Sequence, residues 1–144
     1  MSDKDTGGLC PTTEQTSNAR EGEGGCNAPS PSKEAEAFRA SRIAALNDRL
    51  RKEGCGGMVH MTNGIAAMGV AKVNSLFSAI AAFADFTGDN DPYGEHDCAV
   101  MEIEGERIIW KIDYYDRTRT YHSPDPADPK VTVRVMTVML ASEY

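Results

Sequence analysis

The sequence lacks most features that would tie it to a membrane or to nucleic acid. Its most apolar stretch, around Ile80 and Phe83, is far shorter than the roughly 20 residues that span a bilayer. No secretory leader pattern precedes it. Lysine and arginine total 15 against 22 aspartates and glutamates, a formal net charge of −7, which disfavours direct contact with a phosphate backbone. We therefore expect a cytoplasmic protein with neither a membrane nor a direct nucleic-acid partner.

Cysteines are few and irregularly spaced. None forms a C-x-x-C pair; the four are Cys10, Cys26, Cys55 and Cys98. In a reducing cytoplasm we expect all of them to be free thiols. Zinc held by Cys55, His60, His96 and Cys98 has suitable ligand chemistry, but separations of four and one intervening residues are irregular for a structural site. Zinc is therefore only a minor alternative.

The N-terminal stretch has little from which to build a core. Residues 1–32 are rich in glycine, serine, threonine, proline and glutamate, and Leu9 is their only sizeable aliphatic side chain after Met1. Such a segment cannot bury enough apolar area to offset the entropy lost on ordering. The prediction is a disordered tail over residues 1–32 and a single domain over residues 33–144.

Helix signals follow the tail. Ser32 is a suitable N-cap and Gly54 a suitable end, so the first helix lies between them, with Arg42, Arg49 and Arg51 expected on its solvated surface. A short strand over residues 58–62 and an Asn63-Gly64 turn come next. A second helix is predicted with one apolar face, formed by Val70, Val73, Phe77, Ile80 and Ala84.

The C-terminal half has strand patterns. A two-residue turn at Glu104-Gly105 would place Met101 opposite Ile108 and Ala99 opposite Trp110, which makes one apolar face. Three prolines make residues 117–130 a loop, and residues 131–141 are apolar enough for a central strand. The sequence thus predicts an α+β fold. Two helices pack on a small, mainly antiparallel sheet of about four strands, in the order α-β-α-β-β-β.

Side chains that could take part in catalysis or metal binding are concentrated in the segment from Asp89 to Asp97. It combines five ionisable side chains with a proline and a glycine. Four of them could supply ligands to a divalent metal: Asp91, Glu95, His96 and Asp97. Their spacing fits neither an EF-hand loop nor a His-x-x-x-His zinc pattern. The alternative is a rigid turn in which carboxylates accept backbone N–H groups. No cofactor is predicted, and a divalent metal is left open.

The predicted hairpin would bring this loop near the end of its second strand and the proline-rich loop. Carboxylates beside a histidine suit general acid–base catalysis, so His96, Glu95 and Asp113 are catalytic candidates. The alternative is that these groups cap loops and pair with nearby bases. No nucleophile elbow, P-loop or dinucleotide fingerprint occurs. The candidate binding residues are Asn90, Asp91, Tyr93, Glu95, His96, Asp97, Lys111, Asp113, Tyr115, Asp116, Asp125 and Asp128.

Four motifs resemble a known family: NDPYGEHD (90–97), WKIDYYD (110–116), SPDPADP (123–129) and RVMTVMLASEY (134–144). It is a family of small alphaproteobacterial proteins, often plasmid-borne, known only as a domain of unknown function. The resemblance covers about residues 42–144 and implies no established activity. The family pattern has Phe-Gly where this chain has Cys98-Ala99, which argues against Cys98 as a family-wide ligand. A mobile-element setting favours an accessory or anti-defence role.

Charge distribution supplies the leading hypothesis. Between Asp85 and Asp116 there are ten acidic residues and two basic ones. Such a surface could imitate a nucleic-acid backbone and occupy a basic groove on a partner. We therefore expect a non-enzymatic accessory protein that binds another protein through the acidic loop and hairpin. The alternative is a small hydrolase-like enzyme that uses His96 with neighbouring carboxylates, with or without a metal.

Overall fold

A computed structural model describes residues 32–144, so most of the predicted tail lies outside the described residues. The elements in chain order are α1 (Lys33–Glu53), β1 (Gly57–Met61), α2 (Asn63–Ala66), α3 (Val70–Ala82), β2 (Cys98–Ile103), β3 (Glu106–Tyr115), β4 (Val133–Leu140) and a 3-10 helix (Ala141–Glu143). The predicted α+β fold is confirmed. None of the helices in residues 32–144 is both long enough and apolar enough to cross a membrane.

Local signals set both ends of α1. The Ser32 hydroxyl accepts a hydrogen bond from the Ala35 N–H at 3.1 Å. At the other end, Gly54 has φ 73°, the left-handed conformation that glycine adopts without a steric cost. Its N–H donates to the Leu50 carbonyl at 2.9 Å. Both predicted ends of this helix are confirmed.

The predicted Asn63-Gly64 turn is wrong, because Asn63 begins the short helix α2. The carboxylate of Glu143 accepts hydrogen bonds from the Gly64 N–H at 3.1 Å and from the Thr62 hydroxyl at 2.6 Å. This partner satisfies an N–H at the start of the helix, but it lies 79 positions from Gly64. The helix also buries Ile65 completely. The local sequence shows neither contact.

The apolar face of α3 differs from the predicted one. Leu76 and Ile80 are fully buried, whereas Val70 is 79% exposed. Val70 is the first residue of the helix, and its side chain lies outside the core. The helix also ends at Ala82 rather than reaching Ala84, because Phe83 is extended. The face that packs on the sheet is therefore centred on Leu76 and Ile80.

The strands form one mixed sheet in the order β1-β4-β3-β2. β1 runs parallel to β4, and the other two pairs are antiparallel. The predicted hairpin register is confirmed, with Met101 opposite Ile108 and Ala99 opposite Trp110. Positive φ values of 50° at Glu104 and 85° at Gly105 match the twist of a two-residue hairpin turn. The last strand is central, as predicted, but begins at Val133.

The core lies between the helices and one face of the sheet. Ile108, Trp110 and Ile112 alternate along β3 and pack with Met136 and Val138 of β4. Because successive strand residues point to opposite faces, the other face carries the odd-numbered residues of these strands. That face is partly exposed. The helices contribute buried side chains to the core, chiefly Ile43, Leu50, Leu76 and Ile80.

Candidate functional site

The acidic loop is organised around the carboxylate of Asp91. Its Oδ1 atom accepts backbone N–H groups from Glu95 at 3.0 Å and from His96 at 3.1 Å. The side chain is largely buried, with 4% of it exposed. His96 has φ 56°, and these contacts hold it in that left-handed conformation. Asp91 therefore shapes the loop, as the rigid-turn alternative expects.

The ring of His96 is held on three sides. It stacks on Phe86 with the ring centroids 4.0 Å apart and the planes 3° from parallel. Its Nδ1 atom lies 3.0 Å from Asp48 Oδ1, and its Nε2 atom lies 3.8 Å from Asp91 Oδ2. About 30% of the side chain is exposed. His96 thus joins α1 to the acidic loop, with a carboxylate near each ring nitrogen.

Asp48 also pairs with Arg51, whose Nη2 lies 2.6 Å from Asp48 Oδ1. The guanidinium donates from Nη1 to the carbonyls of Ile80 at 2.8 Å and Phe83 at 2.9 Å. These carbonyls lie at the end of α3, where helices leave acceptors without partners. The prediction of Arg51 on a solvated surface is wrong, because its side chain is only 1% exposed.

Aromatic rings enclose the Arg51 guanidinium. Its central carbon lies 5.3 Å from the Phe86 ring centroid and 5.4 Å from that of Trp110, distances typical of cation–π contacts. Phe86 therefore contacts both Arg51 and His96. Sequence reasoning missed this role of Asp48 and Arg51. The available signal was an adjacent Asn-Asp pair inside an otherwise favourable helix, since both residues are weak helix formers.

A second polar network lies under the loop. Asn47 donates from Nδ2 to the Tyr114 hydroxyl at 2.8 Å and to the Glu95 carbonyl at 2.9 Å. Tyr114 in turn donates to Glu95 Oε1 at 2.9 Å. Arg134 donates from Nε to Asn47 Oδ1 at 2.8 Å, and its guanidinium carbon lies 5.2 Å from the Tyr114 ring centroid. The Asn47 amide thus connects α1, the loop and the sheet.

Burial within this network changes proton affinities. Burial, followed by the nearby Glu95 carboxylate, raises the pKa of Tyr114, although its hydrogen bond with Asn47 opposes the shift. Burial lowers the pKa of Arg134. Burial also raises the pKa of Asp97, and repulsion from Glu95 adds to that shift. The network therefore holds Tyr114 as a neutral hydroxyl that donates to a carboxylate.

Two other candidates lie on the opposite face of the sheet. Asp113 and Tyr115 flank Tyr114 along β3 and so point away from the core. Asp113 pairs with Lys111 at 2.8 Å, and this hydrogen bond raises the pKa of Lys111. The structure therefore brings Glu95, His96 and Asp91 together but places Asp113 elsewhere.

The remaining candidate carboxylates accept hydrogen bonds that stabilise loops. Asp116 Oδ1 accepts the backbone N–H groups of Thr118 and Thr120, both at 3.1 Å. Asp128 accepts the Lys130 N–H at 2.9 Å, and Asp125 bonds Arg39 at 3.0 Å. Asn90 similarly holds the loop through the Thr87 N–H at 2.7 Å. These contacts match the loop-capping alternative.

Metal-ligand geometry is not found in the described part of the chain. Within residues 32–144, no group of three or more histidine, cysteine, aspartate or glutamate side chains could hold a metal ion. The four metal candidates are therefore not brought together as a ligand set. Cys55 is disulfide-bonded, so the prediction of a free thiol is wrong there, while Cys98 is free. Sequence spacing does not reveal pairing; Cys10 and Cys26 lie outside the described residues.

An open groove of about 700 Å³ lies between the first turns of α1 and the acidic loop. Lys33, Glu36 and Arg39 line its helix side, while Tyr93 and Glu95 line its loop side. Tyr93 is 77% exposed. The groove therefore combines both charge signs with an exposed aromatic ring, a composition suited to contact with a protein surface.

The fold and loop define a small α+β domain in which internal polar contacts hold the loop between a helix and the sheet. The chain belongs to the family described as Protein of unknown function (DUF3768), whose model matches residues 61–143. That match begins at the last residue of β1 and is shorter than the expected resemblance, so it does not include Asn47, Asp48 or Arg51. No curated protein and no solved structure matches the chain.

Proposed function

We propose that this protein is a non-enzymatic accessory protein that binds a partner with a basic surface through its acidic loop and hairpin. The observation that supports this most is that some polar residues of the loop make internal contacts while other acids of the same region are exposed. Asp91 and His96 are used in internal contacts, whereas Asp85 and Asp89 are exposed. Within residues 32–144, no lysine or arginine pairs with these two carboxylates, which leaves them available to a basic partner.

The exposed acids of this region form two groups along the chain. The first is at the loop, with Asp85 and Asp89, and the second is at the hairpin tip, with Glu102, Glu104 and Glu106. At the tip, Glu104 Oε1 lies 3.9 Å from Lys72 Nζ. The loop pair is therefore the group that suits a basic groove such as one that binds nucleic acid, and the hairpin tip adds to it.

Tyr93 supplies an apolar contact beside these charges. Its ring is 77% exposed at the groove, next to Pro92. Tyrosine is enriched where interfaces derive most of their binding energy, because it buries a large ring and retains a polar tip. We therefore place the centre of the contact at Tyr93, with the loop acids around it. The mobile-element resemblance makes an anti-defence inhibitor the concrete version of this proposal.

The test compares proteins captured from bacterial lysate by the tagged full chain and by Asp85→Lys plus Asp89→Lys. The control is Glu34→Lys plus Glu53→Lys, which makes the same charge change at exposed positions of α1. A specific partner should be lost with the loop variant, kept with the control, and released progressively by salt. Equal capture by all three proteins, at every salt concentration, would exclude this surface as the contact.

A small hydrolase-like enzyme is the second candidate, and the Asp48–His96 contact favours it. A carboxylate bound to Nδ1 is how proteins orient a histidine that acts as a general base. His96, with Glu95 nearby, would then be the catalytic pair. In this case His96→Gln should abolish hydrolysis of chromogenic ester or phosphoester substrates while leaving partner capture intact. Absence of hydrolysis by the unchanged protein would favour the binding function.

A further inference from the structure

We propose that two copies of this chain associate through the outer face of the sheet, defined by Val100, Ile109, Lys111, Asp113, Val135 and Thr137. The strand registers make these residues neighbours, because Val100 is opposite Ile109, Lys111 opposite Thr137, and Asp113 opposite Val135. Paired residues of adjacent strands share a face. The outer face is therefore one continuous surface across three strands.

This face lies opposite the helices. The described helices contribute their buried side chains to the core on the other side of the sheet. Val100 is 52% exposed, and Ile109 and Val135 are partly exposed. At one end, the Arg119 guanidinium reaches Met58 Sδ at 3.2 Å. Away from that end, Val100, Ile109 and Val135 give the face an apolar area that is at least partly open to solvent, as surfaces that bind other proteins often have.

The charges on this face indicate that its binding partner is a second copy of the chain. The whole chain carries a formal charge of −7, yet the centre of this face holds one base and one acid. Lys111 and Asp113 pair at 2.8 Å, and each side chain is 36% exposed. In a two-fold contact each lysine can face the aspartate of the other copy, so the surface complements itself. A basic partner would instead favour the acidic loop.

By composition, the N-terminal residues match this apolar face less well than a second copy does. Residues 1–31 contain a single sizeable aliphatic side chain after Met1, namely Leu9. A covering segment would need several such side chains to match Val100, Ile109 and Val135. A second copy supplies that apolar surface by symmetry.

The size of the face predicts weak association. Three strands about 4.8 Å apart and about six residues long project roughly 300 Å². Stable complexes bury about 800 Å² per partner. We therefore expect a dimer that forms in the micromolar range or above, rather than one that is permanent. This inference does not depend on the proposed function, because it rests on the paired Lys111 and Asp113 rather than on the exposed acids of the loop.

The experiment is sedimentation of the full chain from micromolar to near-millimolar concentration, in a Cys98→Ser background that prevents cross-linking through the thiol on this face. The unchanged face should give a concentration-dependent dimer. Lys111→Glu and Asp113→Lys should each weaken self-association about tenfold or more. An equimolar mixture of these two variants should restore the dimer, because each lysine again faces an acid across the contact.

Restoration in the mixture separates lost contact from lost folding, since unfolded variants could not recover a dimer. Val100→Asp should also weaken the dimer, whereas Val70→Asp, at an exposed position of α3, should not. Asp85→Lys plus Asp89→Lys should leave the dimer intact. The dimer can therefore be tested independently of whether the acidic loop binds a partner. A monomer at every concentration, or a mixture no more associated than its components, would overturn the proposal.

Discussion

His96 Nδ1 and Asp48 Oδ1 lie 3.0 Å apart although the two residues are 48 positions apart in the chain. The same carboxylate pairs with Arg51 at 2.6 Å, and Arg51 in turn holds the end of α3. A single aspartate of α1 thus connects the acidic loop with the second long helix. The position of the loop relative to the sheet depends on this connection.

Asp48→Ala should destabilise the protein by about 1–3 kcal/mol, because it leaves the buried Arg51 guanidinium without its carboxylate. The lower part of the range allows for partial exposure of Asp48, whose side chain is 26% exposed. Urea unfolding measures the change. Asp89→Ala, at an exposed acid of the loop that Asp48 contacts through His96, is the control and should change stability by less than about 0.5 kcal/mol. Equal effects of the two variants would contradict a supporting role for Asp48.

Long-range contacts of this kind are the features of the fold that could not be predicted from the sequence. The hairpin was predictable because its turn residues and its alternating apolar positions independently specify one register. The ends of α1 were predictable because Ser32 and Gly54 act within four residues of their partners. Arg51 was mistaken for a surface residue because its acceptors lie 29 to 32 positions away, and a basic last turn normally has a local explanation.

The candidate site was also only partly predictable from the sequence. Asp113 was grouped with Glu95 and His96 because the end of its strand lies near the loop, although the alternation along β3 puts its side chain on the face of the sheet opposite to that of Tyr114. The involvement of Asn47 depends on the packing of α1 against the loop, which periodicity does not specify. Sequence therefore located the loop but not the helix residues that hold it.

Tyr114→Phe should lower the free energy of unfolding by about 1–2 kcal/mol. The change removes a hydroxyl that donates to Glu95 and accepts from Asn47, each at 2.8–2.9 Å, and leaves both partners short of a hydrogen bond. Tyr115→Phe, on the outer face of the same strand, is the control and should be close to neutral. Chemical denaturation of both variants makes the comparison. If both variants lost the same free energy of unfolding, the buried Tyr114 hydroxyl would contribute no more to stability than the Tyr115 hydroxyl.

Asp97→Asn should stabilise the protein at neutral pH. Burial and the Glu95 carboxylate raise the pKa of Asp97, so the charged form is disfavoured by folding. This penalty is absent below the ordinary aspartate pKa and grows as the pH rises through the raised value. The gain in melting temperature should therefore be largest near neutrality and shrink on acidification. A gain that is independent of pH would argue against titration of Asp97 as its source.

Glu143→Ala should loosen the start of α2 without disturbing the hairpin. The Glu143 carboxylate accepts from the Thr62 hydroxyl, the Gly64 N–H and the Leu140 N–H, and these bonds, the Thr62 one first, lower its pKa. With a lowered pKa, its contribution is present above the ordinary glutamate value and is lost as the pH falls through the lowered one. The protection of the Gly64 amide from hydrogen exchange, measured relative to the intrinsic rate at each pH, should therefore fall in the variant, and in the unchanged protein at acidic pH. Glu143→Gln, which keeps an acceptor, should accelerate exchange less. Unchanged protection of Gly64 in the alanine variant would mean that burial of Ile65 alone is sufficient to hold this helix.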